Sequence, residues 1–394
     1  MRSSALLRAV VGMAATSFAA GAWATQWNMT PGVTEMSHQV YNLHQTILAI
    51  CVVIALVVFS VMFWSILHHR KSKGVEPAHF HESTVVEIIW TIIPFVILIC
   101  MAIPATRVLI AMYDTGDADL TVRVTGSQWK WNYEYLSYGD NKSIGLSYYS
   151  VLSTPREQYE RQKGGFSGDN IPDFKNDPNY LVEVDRPLVI PTGKKVRFLI
   201  TSDDVIHAWW VPDFAVKKDA IPGFINEEWA IVPVGKEGIY RGRCAELCGK
   251  DHAFMPVVVE AKSPAEFSQW LIAAKQKAEA DAKEAESSGS YKFANLDEAM
   301  KFGQTVFESR CAACHQVTGT GLPPMFPALK GSQIAANKAR KADHIHLVQH
   351  GKNAMPAWKG QLTPKEMAAV ITYERNAWGN NTGDLVQPSE VVEK

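Results

Sequence analysis

The chain has 394 residues, with 39 Lys+Arg against 40 Asp+Glu and a formal net charge of -1. That length exceeds one compact domain, and the near balance of charge lacks the basic bias of a nucleic-acid-binding protein. The hydrophobic fraction of 47% is ordinary as a mean, but apolar residues crowd the N-terminal part and the remainder reads as water-exposed protein.

Arg2 and Arg8 supply a positive start, and an Ala/Gly-rich stretch leads to Ala22-Trp23-Ala24, a small-x-small site. Residues 1–24 therefore read as a secretory signal peptide. Residues 25–115 read as a transmembrane hairpin. Thr46 to Leu67 carries no charge and is about 33 Å long as a helix, enough to cross a hydrocarbon core. A second uncharged run starts at Ile88, giving expected spans of about 46–67 and 88–108. Pro94 and Pro104 fall inside it, as membrane helices tolerate. Between the runs lies His68-His69-Arg70-Lys71-Ser72-Lys73, a short basic loop that belongs in the cytoplasm. Both termini and everything after Arg107 are then expected on the periplasmic side of a bacterial inner membrane.

Residues 116–262 read as β structure. Apolar runs at Leu120–Val124, Tyr180–Val184, Leu188–Ile190, Lys195–Thr201, Glu228–Val232 and Pro256–Glu260 are separated by Gly, Pro and Asp clusters. Ser153 to Pro178 reads as a long surface loop. Residues 263–290 form an Ala/Lys/Glu-rich helical linker ending in the flexible Ser287-Ser288-Gly289-Ser290. Residues 291–380 form a third, helical module, patterned around Leu296–Arg310, His344–His350 and Pro364–Trp378, with 381–394 as a C-terminal tail.

The six cysteines divide into Cys51 and Cys100 inside the apolar runs and two short-spaced pairs, Cys244/Cys248 and Cys311/Cys314. Such spacing points to metal or cofactor attachment rather than to a disulfide framework. The segment from Cys244 to Met255 holds two thiols, the His252 imidazole and the Met255 thioether. Soft sulfur with imidazole suits copper. Two cysteines four residues apart can bridge two copper ions where a mononuclear site needs one. His207, just after an expected strand, is the candidate second imidazole. A structural zinc site or a disulfide is the alternative.

Here the sequence resembles subunit II of cytochrome c oxidase, whose pattern is D-V-x-H followed by C-x-E-x-C-x-x-x-H-x-x-M. The residues Asp204-Val205-Ile206-His207 and Cys244 to Met255 fill every position. The resemblance implies a cupredoxin-like β-barrel carrying the dinuclear copper centre CuA, with ligands His207, Cys244, Cys248, His252, Met255 and the backbone carbonyl of Glu246. It further implies that the Glu246 carboxylate faces a Mg or Mn ion shared with subunit I, in keeping with oxygen ligation of hard cations. The aromatic run Trp129-Lys130-Trp131-Asn132-Tyr133-Glu134-Tyr135 alone reads as a packed strand; by the resemblance, Trp129 is the electron entry point and Asp204 an acidic docking residue. Glu87, at the cytoplasmic start of the second run, is an ionisable group near membrane depth. Its E-x-x-W setting resembles the family's entrance to a proton pathway.

Cys311-Ala312-Ala313-Cys314-His315 is a C-x-x-C-H motif for covalent haem, with His315 as one axial ligand. The other ligand comes from Met325, Met355, Met367, His344, His346 or His350. Met355 precedes a proline in a loop, free of helical constraint, and its surroundings resemble the methionine loop of class I cytochromes c. Gly319 to Pro324 resembles the loop at the haem edge, and Ile371 to Arg375 the last helix. The expected architecture is thus a two-helix transmembrane hairpin, a cupredoxin-like β-barrel and an all-α class I cytochrome c domain. The implied activity is that of a cytochrome c oxidase subunit: electrons pass from a soluble or membrane-bound cytochrome c donor to haem c, to CuA and to haem a of subunit I, where O2 is reduced to water with proton pumping. Subunit I, and subunit III beside it, are the expected partners, with membrane lipid around the hairpin and no nucleic acid. A copper-free quinol-oxidase subunit would lack the cysteine and histidine ligands, and a free-standing redox carrier would leave Glu87 and Glu246 without a role.

Overall fold

The computed structural model describes residues 28–76, 82–141, 143–154, 178–323, 326–352 and 355–392. The signal peptide, nearly all of the Ser153–Pro178 loop, and Met325 lie outside the described residues. Two compact units are present, one formed by the N-terminal hairpin with most of the β domain, the other by the helical C-terminal part from Ala265 onward together with Cys248–Phe254 and the described part of Leu152–Leu181.

The hairpin consists of α1, Glu35–His68, and α2, Thr84–Met112. Both are longer than the uncharged runs. The extra turns of α1 are polar enough to leave the apolar zone, and Thr34 caps them by accepting from the Ser37 N–H at 3.0 Å. Apolar residues from Val52 to Leu67 and from Val85 to Ile103 are exposed. Such exposure is untenable in water and natural in lipid. The Val33 N–H donates to the Asp213 carbonyl at 2.8 Å, tying the start of α1 to the β domain. Trp229 Nε1 donates to the Ala111 carbonyl at 3.2 Å, tying the end of α2.

The β domain has ten strands: β1 Leu120–Ser127, β2 Lys130–Tyr138, β3 Leu146–Ser150, β4 Leu188–Pro191, β5 Val196–Ser202, β6 His207–Val211, β7 Val216–Ala220, β8 Asn226–Ala230, β9 Gly238–Cys244 and β10 Pro256–Lys262. They form two sheets, β3-β2-β1-β5-β8 and β4-β10-β9-β6-β7. Alternation along β5 buries Val196, Phe198 and Ile200. β10 is almost continuously buried because it lies between β4 and β9. The sheets meet through aromatic side chains. Phe198 and Trp209 ring centroids are 4.8 Å apart, and the Tyr135 hydroxyl both donates to the Val189 carbonyl and accepts from its N–H, at 2.8 and 2.9 Å.

The expected strand Tyr180–Val184 is not formed. Leu181 sits at φ 63, in the left-handed region, and only Val184 makes an isolated bridge. β3, β6, β7 and β9 were not marked by sequence. β7 reads Val-Lys-Lys-Asp-Ala and β9 carries two glycines and two arginines, so pairing with neighbours, not propensity, makes them strands.

The C-terminal unit comprises α3 Pro264–Ser288, α4 Leu296–Arg310, α5 Ala312–His315, α6 Lys341–His350 and α7 Pro364–Asn376. Ser287 and Ser288, expected in a flexible link, belong to the last turn of α3. α4 is capped by Asn295 and α7 by a reciprocal Thr363/Glu366 box. They cross closely at Gly303, where a Cβ would lie 2.1 Å from the Ala369 carbonyl oxygen. Residues past 380 pack into this core rather than trailing from it: Val386 and Val391 are buried beside Phe307 and Val370.

Arg375 is fully buried. It donates to Asp384 Oδ2 at 2.9 and 2.6 Å and to the carbonyls of Ile334 and Asn337 at 3.2 and 2.9 Å. Removing one partner of a buried pair strands the other. Arg375→Ala is expected to destabilise this unit by about 3 kcal/mol or more, read as roughly a hundredfold faster amide exchange in α7. A change under about 0.5 kcal/mol, the level of an ordinary surface substitution, would contradict the packing described.

Candidate functional site

The antiparallel pairing of β6 and β9 sets Trp209 opposite Cys244. His207, which opens β6, and Cys244, which closes β9, are thereby brought to one end of the sheet. The Ala245 N–H donates to the Ala208 carbonyl at 3.0 Å, and the Cys244 N–H to the Met255 carbonyl at 3.2 Å, closing the base of the loop between β9 and β10. Gly249 turns that loop at φ 116, a conformation that favours glycine.

The ligand atoms of His207, Cys244 and Cys248 all lie within 4.8 Å of one another, and all three residues are buried. Among the described residues this is the one cluster of three or more metal-ligating side chains found. Cys244 Sγ is 4.0 Å from His207 Nδ1, and Cys248 Sγ is 3.5 Å from His252 Nδ1. Met255 is buried. The Glu246 carbonyl oxygen faces Cys244 Sγ at 3.3 Å, while its side chain is exposed. No cysteine of the chain is in a disulfide. Two thiols, two imidazoles and a thioether in a largely dry site form a soft donor set that fits copper better than a hard cation.

His207 is oriented from behind. Its Nε2 lies 2.8 Å from Asp204 Oδ1, which leaves Nδ1 facing the sulfur. Such a carboxylate behind a ligating imidazole fixes both the ring and its tautomer. Gly126 makes room: a Cβ there would come within 2.8 Å of His207 Cδ2. Asp204 Oδ2 also accepts from the Gln128 N–H at 2.7 Å. Gln128 and Trp129 form the turn between β1 and β2, so one carboxylate joins the turn bearing Trp129 to the imidazole. Sequence reasoning placed Asp204 on the docking surface. It is half-buried and also holds His207, a role signalled by its position three residues before that histidine.

Burial disfavours charge on His207, but the hydrogen bond to Asp204 and then the contact with Cys244 prevail, and its pKa is pushed up to about 9. Burial likewise opposes charge on Asp204, yet hydrogen bonds from His207, Gln128 and Val205 hold its carboxyl below the ordinary value.

The second site lies at the junction of α4 and α5. Cys311 caps the end of α4, and Cys314 and His315 occupy the following turn. His315 Nδ1 donates to the Pro327 carbonyl at 2.9 Å, which leaves Nε2 with its lone pair for a metal. Burial pushes the Cys311 thiol up, and the Glu374 carboxylate adds to the effect. Two thiols beside an imidazole of fixed tautomer fit a covalently attached haem. Among the other ligand candidates, Met367 is buried within α7, His344 Nε2 lies 2.9 Å from Glu374 Oε2, and His346 and His350 are exposed. Met355 packs, partly buried, against the same core as Cys311. Glu87 lies exposed in the first turn of α2.

Residues 120–262 match the family described as cytochrome c oxidase subunit II, periplasmic domain, and residues 22–108 match its transmembrane domain. The probable cytochrome c oxidase subunit 2 of Rickettsia bellii (strain RML369-C) is 35% identical over 256 residues, covering 65% of this chain and 86% of that protein. The chain belongs to the cytochrome c oxidase subunit II family. Its relative in Arabidopsis thaliana, cytochrome c oxidase subunit 2, is 33% identical, covering 62% of this chain and 88% of that one. The periplasmic domain of subunit II of cytochrome oxidase from Bradyrhizobium japonicum is 38% identical, covering 41% of this chain and 98% of its own, with a TM-score of 0.32. Residues 298–373 match the family described as cytochrome c oxidase, cbb3-type, subunit III. The chain is therefore a subunit II of a terminal oxidase with a cytochrome c unit fused after the copper-binding domain.

A pKa raised on folding contributes stability that is complete below the unfolded value and lost as pH rises through the folded one. For His207 these values are 6.5 and about 9. The metal-free protein is expected to unfold progressively more easily across that window, and Asp204→Asn to flatten the dependence. An unchanged slope in the variant, measured by chemical unfolding at several pH values, would show that Asp204 does not hold the imidazole.

Proposed function

We propose that the chain takes electrons from a cytochrome c donor through its own haem c and passes them through a dinuclear CuA centre to haem a of subunit I, where O2 is reduced to water with proton pumping. The observation that carries this reading is the buried convergence of His207, Cys244 and Cys248. Bound copper and haem supply reversible one-electron chemistry; the protein's part is to hold, insulate and orient them.

Cys244 and Cys248 would hold the copper as thiolates, together with His207, His252, Met255 and the Glu246 carbonyl. The closed base of the loop and the core beneath it restrain these side chains, so little rearrangement accompanies a change of charge. Asp204 keeps the His207 ring turned so that Nδ1 points at the site. Cys311 and Cys314 would hold the haem covalently, His315 would ligate it through Nε2 and Met355 would supply the second ligand, a set that favours a potential high enough to feed an oxidase. Trp129, in the turn anchored by Asp204, offers an aromatic entry point for electrons. The exposed Glu246 carboxylate is available to a Mg or Mn ion shared with subunit I, and Glu87 to protons entering that partner from the cytoplasm. Subunit III completes the membrane complex. The basic loop Arg70-Lys71-Ser72-Lys73 supports a cytoplasmic turn, with both termini periplasmic.

A thioredoxin-like protein forms a mixed disulfide with subunit II of the oxidase in a related structure. Reduction by such a partner suits this chain, because Cys244 and Cys248 must both be thiols before copper enters.

Metal analysis with EPR and optical spectroscopy tests the assignment on the full chain. The expected result is two copper ions sharing one unpaired electron, together with a low-spin c-type haem. Cys244→Ser is expected to abolish the shared-electron signal and leave the haem spectrum intact. A zinc-only or single-copper site at Cys244/Cys248 would refute the reading.

A further inference from the structure

Given the electron path proposed above, we propose that the Glu374 carboxylate, held by His344, biases haem c toward its oxidised state and so favours passage of its electron to the copper centre. Glu374 lies on α7, one turn after Val370 and Ile371, and these two belong to the core against which Cys311 packs. Its side chain is 4% exposed, and that of His344, from α6, is 2% exposed. His344 Nε2 stands 2.9 Å from Glu374 Oε2. Burial disfavours the Cys311 thiolate, and the Glu374 carboxylate disfavours it further, by its charge and as a hydrogen-bond partner. Cys311 is a haem anchor in that reading, so a charge that acts on its sulfur acts on the group attached there. For stability alone, an apolar pair of similar volume would serve the core as well.

The pair carries net negative charge. His344 Nδ1 is buried and has no hydrogen-bond partner among the described residues. An imidazolium donates from both nitrogens and would strand a charged N–H there, so the neutral ring, with its proton on Nε2 facing Glu374, fits the pocket. The adjacent Arg375 is engaged by Asp384 Oδ2 at 2.9 and 2.6 Å. Arg310, a cation that acts on the same sulfur, is exposed, where water and salt screen it. A buried carboxylate is screened much less. One electron from the donor turns ferric iron ferrous, and its passage to the copper centre restores the ferric state. The ferric form carries one more positive charge, so a fixed negative charge nearby stabilises it and eases release of the electron.

The test is an equilibrium redox titration of the full-length, copper- and haem-loaded protein in detergent, with the haem and copper bands read in the same sample. Glu374→Gln keeps the shape of the side chain and an oxygen that accepts from His344, and removes the charge. It is expected to lower the equilibrium constant for transfer from haem to copper about tenfold, the scale of one unit charge acting across a protein interior. That corresponds to a rise of about 59 mV in the haem potential. His344→Leu is expected to move the potential the same way, since a buried carboxylate without its donor takes up a proton. His344→Gln, which restores an N–H donor, is expected to keep the original potential. An unchanged haem potential in Glu374→Gln, with both spectra intact, would overturn the proposal. So would a shift accompanied by loss of the methionine–iron charge-transfer band, which would place the effect at the axial ligand. An unsubstituted chain that binds no haem or no copper would overturn the functional reading and this proposal together.

Discussion

Everything at the copper end depends on β6 lying beside β9, with Trp209 set against Cys244. The two strands are far apart in sequence, and neither is strongly marked as a strand. Their pairing is fixed by what surrounds them: β10 on the far side of β9, and the Trp209–Phe198 contact across to the other sheet. Once that register is set, His207 and Cys244 are neighbours, and the loop to β10 needs only to fold back for Cys248 to join them. A register slip of β6 by one residue would send His207 to the face opposite Cys244.

A dry cluster of thiols and imidazole is costly to assemble without a metal, because polar groups are taken out of water. The protein offsets that cost with oriented hydrogen bonds. Asp204 holds His207, the Gln128 and Val205 N–H groups hold Asp204, and Gly126 leaves room for the ring. The same carboxylate reaches the turn bearing Trp129, so that turn and the His207 imidazole share one support. In the C-terminal unit the equivalent device is simpler: one carbonyl, that of Pro327, selects the His315 tautomer.

The candidate sites were legible in the sequence because their motifs are local. Cys244 to Met255 and Cys311 to His315 are short motifs, and the two apolar runs announce the hairpin by length alone. What sequence could not give was long-range. Asp204 read as a surface acid because nothing in its neighbourhood shows that Gln128 would lie against it. β7 and β9 are too charged or too rich in glycine to mark themselves as strands. Leu181 broke an apolar run that had looked like a strand by adopting a left-handed backbone. The segment after residue 380 looked like a tail because its burial rests on scattered contacts, Val386 and Val391 in the core and Asp384 on Arg375.

The two centres are proposed to act as successive stations in one electron path. The most direct measurement is flash photoreduction of the full-length protein, with the haem and copper absorption bands followed in time. Haem c should be reduced first and then lose its electron as the copper centre gains it, at a rate independent of protein concentration. A transfer rate that scales with concentration, or copper reduced while the haem band stays still, would contradict the account.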